Sequence, residues 1–274
     1  VILLMACSND NDIAEENTSI TIHVPVSGMT RAMGNLNDGD VNTLLSKESA
    51  INNVTAFIFN GQNSIRSVIQ GALDENNKIR IDNLSPGSFE AIVIANDPGV
   101  FTEGMRKDEV IAKVMTLPTN QDSGKLIMTG QAAFSVVAGQ TTPVVASVSR
   151  LAARVTLKNL TFNLLNTNAS FQLTNVYLDN VNTAYNIGKN APLSFATAGW
   201  TESFTLEPNT GITAANAPYF YVGPNIKPAD PDDPEWLSGS TTLVIKGKWK
   251  ESSSSTAIDK TYPIFINRLL PGVA

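Results

Sequence analysis

Residues 19–26 read SITIHVPV, and the way this stretch is read decides the fold of everything after it. Ile20, Ile22, Val24 and Val26 recur at every second position, with Thr21, His23 and Pro25 between them. Successive side chains of an extended chain point to opposite faces, so the pattern predicts a β-strand with one aliphatic face turned to a core. The chain continues as SGMTRAMGNLNDGD over residues 27–40, a loop with one arginine, Arg31, followed by Ala32. Gly28, Gly34 and Gly39 favour the open backbone that a protease needs. Two readings compete: an ordinary strand and turn, or a strand made to be cut away.

The same period of two recurs along the chain, punctuated by Gly, Pro, Asn and Asp. INNVTAFIFNGQ (51–62) reads as a strand ending in an Asn60-Gly61 turn. NKIRIDNLSPGSFEAIVIAND (77–97) holds two more, separated at Ser85-Pro86-Gly87. VFTEGMRKDEVIAKVM (100–115) is the one convincing helix, with Thr102 as its expected N-cap and Val110, Ile111 and Val114 at helical spacing. KLIMTGQAAFSVVAGQTTPVVASVSRL (125–151) returns to strands, as do LAARVTLKNLTF, ASFQLTNVYLDNV, APYFYVGPN, STTLVIKGKWK and TYPIFINRLL after it. The expected fold is all-β: two β-sandwich domains in tandem, with one short helix in the first. Their boundaries are expected at 32–149 and 150–274, preceded by a leader, tether and first strand over 1–31. No short-period repeat points to a solenoid or propeller.

Composition narrows the function. The 274 residues are 42% apolar and 16% charged, with a formal net charge of −6, a globular and acidic balance. Without any Lys/Arg-rich run, the chain has no footing for nucleic acid. The chain opens VILLMACSNDND, an apolar run too short to span a bilayer, and its one cysteine, Cys7, follows Leu4-Met5-Ala6. That order looks like a bacterial lipobox at the tail of a signal peptide, with Cys7 as the acylated residue. The polar stretch after it reads as a tether. With Cys7 lipidated no disulfide remains available, and both domains must stand on burial alone.

Chemistry is mostly missing from the sequence. His23 is the single histidine and is expected on the solvent side of an edge strand, so a Ser-His-Asp triad or a His/Cys zinc site lacks its parts. The acidic loops NLNDGD (35–40) and DPDDPEW (230–236) do not match the EF-hand spacing and read as solvated loops. No Gly-rich phosphate loop occurs. Trp200, Trp236 and Trp249 sit at predicted loops or strand ends. Consecutive Tyr219, Phe220 and Tyr221 must alternate faces, so at least one of them packs inward. No catalytic residue, metal site or cofactor is expected.

Several segments, in their order, resemble the major fimbrial subunit (fimbrillin) family. KESAINNVTAFIFNGQN is similar to its acidic turn and following strand, and LSPGSFEAIVIAN to its strand-turn-strand ending at Ala95-Asn96. VSRLAARVTL resembles the arginine-marked junction that opens its second domain, and APYFYVGPN, TTLVIKGKWK and TYPIFIN follow in sequence. The resemblance implies a type V pilin-like lipoprotein built of transthyretin-like, Greek-key sandwiches. It implies cleavage after Arg31 by an Arg-specific surface protease, removal of the strand bearing Ile20, Ile22, Val24 and Val26, and strand addition from a neighbouring subunit. The implied partners are other pilin subunits, as a homopolymer or with anchor and tip subunits, and the outer membrane through Cys7 before maturation. Host proteins or glycans are further candidate partners. The chain ends FINRLLPGVA without the family's closing strands, and so reads as a piece clipped at both ends. The alternatives are a surface lipoprotein that binds glycans or host ligands, and a hydrolase with a carboxylate pair in a cleft.

Overall fold

Alternating aliphatics and turn-forming Asn, Gly and Pro give a chain made of strands. The computed structural model describes residues 18–27, 46–117, 122–188, 195–196, 200–224 and 240–266. The first half carries β1 (Ser19–His23), β2 (Val54–Asn60), β3 (Asn63–Gly71), β4 (Lys78–Asp82), β5 (Gly87–Ala95), β6 (Met115–Thr116), β7 (Met128–Val136), β8 (Thr141–Val145) and β9 (Ser149–Arg150). β3-β2-β5-β7-β9 form an antiparallel sheet, and β4-β1-β8 a smaller one. At the β2–β3 hairpin Gly61 takes φ +59°, a left-handed value that costs glycine nothing.

Period-two burial explains how the sheets stack. Ile20, Ile22 and Val24, with Ile79, Ile81 and Val144 from the smaller sheet, pack against Val54, Ala56, Ile58, Ala91, Val93 and Met128 of the larger one. The alternate residues of β2 and β5, namely Phe57, Phe59, Ile92 and Ile94, face the other way into a second cluster. Both faces of the larger sheet are therefore covered, and this is why VTAFIF reads as an unbroken apolar run.

That second cluster is shared between the halves. It takes Phe171, Leu173, Val176, Leu178, Leu243 and Ile245 from the sheet β15-β11-β17-β18, where β11 spans Ser170–Asp179, β15 Trp200–Ser203, β17 Thr242–Lys250 and β18 Ile258–Phe265. Short pairs complete the second half: β10 (Ala153–Thr156) with β16 (Tyr219–Val222), β12 (Val181–Asn182) with β14 (Phe195–Ala196), and β13 (Ala184–Tyr185) with β6 of the first half. The boundary expected near 149–150 falls within β9, which pairs with β7. Pro143 in β8 and Pro263 in β18 both stand on outer strands, where a residue without an N–H costs the ladder least.

Two local expectations are corrected. His23 is not on an edge strand: β1 is the middle strand of its sheet, and His23 faces Lys78 on one side and Val145 on the other. The helix spans Lys107–Ala112 with Arg106 as its N-cap, not Thr102, because the Glu109 carboxylate accepts the Arg106 N–H at 2.8 Å. Val110 of that helix is fully buried, while Val114 lies beyond the helix and is exposed. In the aromatic trio two side chains pack inward, Phe220 and Tyr221, since both faces of β16 are covered.

Ile22→Ala is expected to lower the unfolding free energy by about 2–5 kcal/mol, because a fully buried aliphatic leaves a cavity between two sheets. Thr21→Ala, on the half-exposed face of the same strand, should stay within about 1 kcal/mol. Urea titration of the two variants checks both.

Candidate functional site

The site suggested by the sequence is the first strand, and its setting is unusual for an N-terminal segment. β1 lies between β4, to which it is antiparallel, and β8, to which it is parallel. Among the described residues, neither β4 nor β8 has another ladder partner. Ile20, Ile22 and Val24 are each fully buried, and Val26 is partly buried with a parallel bridge to Val148. Beyond β1 the ladder continues irregularly: His23 O accepts from Ala146 N, Pro25 O from Val148 N, and Ser27 N donates to Val148 O at 2.7 Å. At the leading end, Thr18 O accepts from Leu84 N and Ser19 N donates to Gln140 O, both at 3.2 Å. The slot is thus long, apolar beneath and hydrogen-bonded along both rims. Cys7, Arg31 and Ala32 lie outside the described residues, as do the acidic loops at 35–40 and 230–236 and Trp236. Trp249 is partly buried against the second cluster.

Sequence reasoning missed a charged cluster directly downstream. Glu48, in a short helical turn at 46–48, is only 2% exposed. The Arg150 guanidinium donates to its Oε2, while Arg154 and the Tyr221 hydroxyl both donate to its Oε1 at 2.7 Å. One carboxylate therefore binds the chain entering β2 to β9, β10 and β16. Burial pushes the Tyr221 phenol far up, and its hydrogen bond to the Glu48 carboxylate pushes it the same way. Burial alone raises the phenol of Tyr185, whose hydroxyl donates to the Thr116 carbonyl. The arginines of VSRLAARVTL were visible as a marked junction, but their partner was a single Glu in a polar stretch.

A second clamp holds the same segment. Asn96 adopts φ +59° at the end of β5, and its Oδ1 accepts from Asn52 N at 2.8 Å and from Asn52 Nδ2 at 3.1 Å. Its Nδ2 donates to the carbonyls of Ala50 and Leu126, both at 2.9 Å. The Ala95-Asn96 ending read from the sequence thus has a physical reason: a small amide that tolerates left-handed φ and makes four hydrogen bonds to three neighbours. Next to it Asp97 Oδ2 accepts from Thr55, and its Oδ1 from Gly99 N at 2.7 Å.

The fold is all-β, with a smaller sheet closed around its first strand and a doubly clamped segment after it. The sequence model described as major fimbrial subunit protein (FimA) matches residues 18–158, a little over half of the chain, and the chain belongs to that family. Membership puts it among the subunits of cell-surface fimbriae. The matched region begins at Thr18, where the slot begins, and runs past β10. The fold is similar to that of a candidate cell adhesion protein from Parabacteroides distasonis, with a TM-score of 0.70 at 18% identity over 92% of this chain and 82% of that one. It is also similar to a fimbrilin (FimA) from Porphyromonas gingivalis, with a TM-score of 0.58 at 19% identity over 91% of this chain and 81% of that one. At such identities the likeness is one of fold. No curated protein matches the chain.

Removing Glu48 should leave two arginines facing each other with little water, so Glu48→Ala is expected to destabilise by about 3–5 kcal/mol. Thermal or urea denaturation checks it. The raised phenols set an alkaline limit. Unfolding frees Tyr185 and Tyr221 to ionise near the ordinary phenol value of about 10, whereas the folded state keeps them protonated. Their contribution is complete below about pH 10 and is lost as pH rises beyond it. Stability should fall steeply above that point, and substituting Phe at both positions should flatten the fall.

Proposed function

We propose that this chain is a structural, non-catalytic pilin subunit, exported as a lipoprotein acylated at Cys7. In this reading an Arg-specific protease cuts the Arg31–Ala32 bond, the first strand leaves, and a strand from a neighbouring subunit takes its place. The observation that supports it most is that β1 is central, with two strands depending on it for their ladders.

The magnitudes favour replacement over a permanently open sheet. Withdrawing Ile20, Ile22 and Val24 forfeits roughly 5–9 kcal/mol of gross burial, at about 1.5–3 kcal/mol for each side chain. The ladder bonds on both rims add about 1 kcal/mol net apiece. Together these rival the ~5–15 kcal/mol that a whole domain possesses. The vacated slot would present unpaired backbone on two sides and an apolar floor of Val54, Ala56, Ile58, Ala91 and Val93. Such a surface is a strong template for strand addition. Partners in this reading are other pilin subunits, either copies of this chain or anchor and tip subunits, and the outer membrane before release.

Arg31→Ala is expected to leave the protein uncut and monomeric at the cell surface. N-terminal sequencing of surface-extracted protein should give Ala32 for the native chain and Cys7 for the variant. Polymers of normal length from the Arg31→Ala variant would refute the maturation step.

A further inference from the structure

The floor of the slot selects for aliphatic residues at alternate positions, but that alone does not set register or direction. A strand carrying Ile-x-Ile-x-Val could slip by two residues and bury the same faces. Something polar has to break the tie, and in this molecule it sits at one end. Thr18 and Ser19 are buried, 6% and 0% exposed, directly ahead of the aliphatic run. Thr18 Oγ1 accepts from the N–H of Gly139 at 3.0 Å. Ser19 Oγ lies 2.8 Å from Thr141 Oγ1, in a hydroxyl pair where either can donate. Gly139 lies in the turn between β7 and β8, where it takes φ +70°, and Thr141 opens β8. At the trailing end the matching side-chain contact is that of Ser27, which is exposed, with Val148 O.

Resting on the reading above, we propose that Gly139 and Thr141 form a register site, which selects an incoming strand bearing two consecutive hydroxyl residues before its alternating aliphatics. A strand slipped by two residues would bring either Ile20 against the Gly139 N–H or the Thr18 hydroxyl over the apolar floor that Ile20 now covers. A buried hydroxyl left without a partner is disfavoured far more than ordinary contacts are favoured. Since the hydroxyl pair has its partners at one end only, the site sets direction as well: parallel to β8 and antiparallel to β4, as β1 runs. The partner it fits is an extended segment of the form hydroxyl-hydroxyl-aliphatic-x-aliphatic-x-aliphatic from another subunit.

The test uses the 274-residue chain nicked after Arg31, with labelled peptides of residues 18–26 competing for the slot. The native peptide and a Thr18→Ser peptide should exchange in with similar affinity. A Ser19→Ala peptide should bind about tenfold more weakly, and a peptide with both Thr18→Val and Ser19→Ala more weakly still. In a nicked Thr141→Val chain the Ser19→Ala penalty should vanish, because the hydroxyl pair is already broken; a purely structural effect of Ser19 would persist. Equal binding of all peptides to the native slot, or a Ser19→Ala penalty unchanged by Thr141→Val, overturns the register site while leaving strand exchange intact. No exchange by any peptide overturns strand exchange itself, and the register site with it.

Discussion

The rest of the structure depends on one strand wedged between two others that are far from it in sequence. β1 meets β8 across more than a hundred residues, with Ser19 opposite Thr141 and His23 opposite Val145, and it meets β4 on its other side. Three fully buried aliphatics on that strand close the core over the larger sheet. Parallel pairing of this kind brings no help from a tight turn, so the strand is held by burial and by bonds along its rims. Under the proposed maturation, an element held this non-locally would be exchanged without retracing the chain.

What would stay fixed during such an exchange is equally defined. The segment from Glu48 to Asn53 enters the larger sheet through two polar clamps: the Glu48 carboxylate with Arg150, Arg154 and Tyr221, and the Asn96 amide with Ala50, Asn52 and Leu126. A buried carboxylate among two guanidiniums is a poor source of net stability compared with apolar packing, but its geometry is unforgiving. It therefore fixes where this segment lies more than how tightly the protein folds. The larger sheet adds to this rigidity because Phe57, Phe59, Ile92 and Ile94 on its second face are committed to the shared cluster. Loss of the first strand would open one face of that sheet and leave the other packed.

Much of this was legible in the sequence, in proportion to how local each feature is. The spacing of Ile20, Ile22 and Val24 reported a half-buried strand, and burial bears out those three positions. The β2–β3 hairpin was visible in Asn60-Gly61, and the all-β class in the repeated alternation. The strand's central place was not legible, because nothing in SITIHVPV records a pairing with Thr141–Val145. The expectation that His23 stood on an edge failed for that reason. The helix start was misplaced because Thr102 has the better capping side chain by type, whereas Glu109 reaches back to the Arg106 N–H. The Glu48 cluster was hidden for a similar reason: charge is read as exposure unless a partner is known, and its partners come from three distant strands.

The position of β1 has a mechanical consequence. A strand bonded along both rims and pulled along its own axis is loaded in shear, so its hydrogen bonds share the force instead of parting one after another. The bridge at Val26 and the bonds of Pro25 and Ser27 to Val148 lengthen that shared stretch beyond the regular ladder. Tension applied at either end of the strand would have to drag three buried aliphatics past the facing sheet at once. The slot is therefore weakest to peeling across its width and strongest along its length.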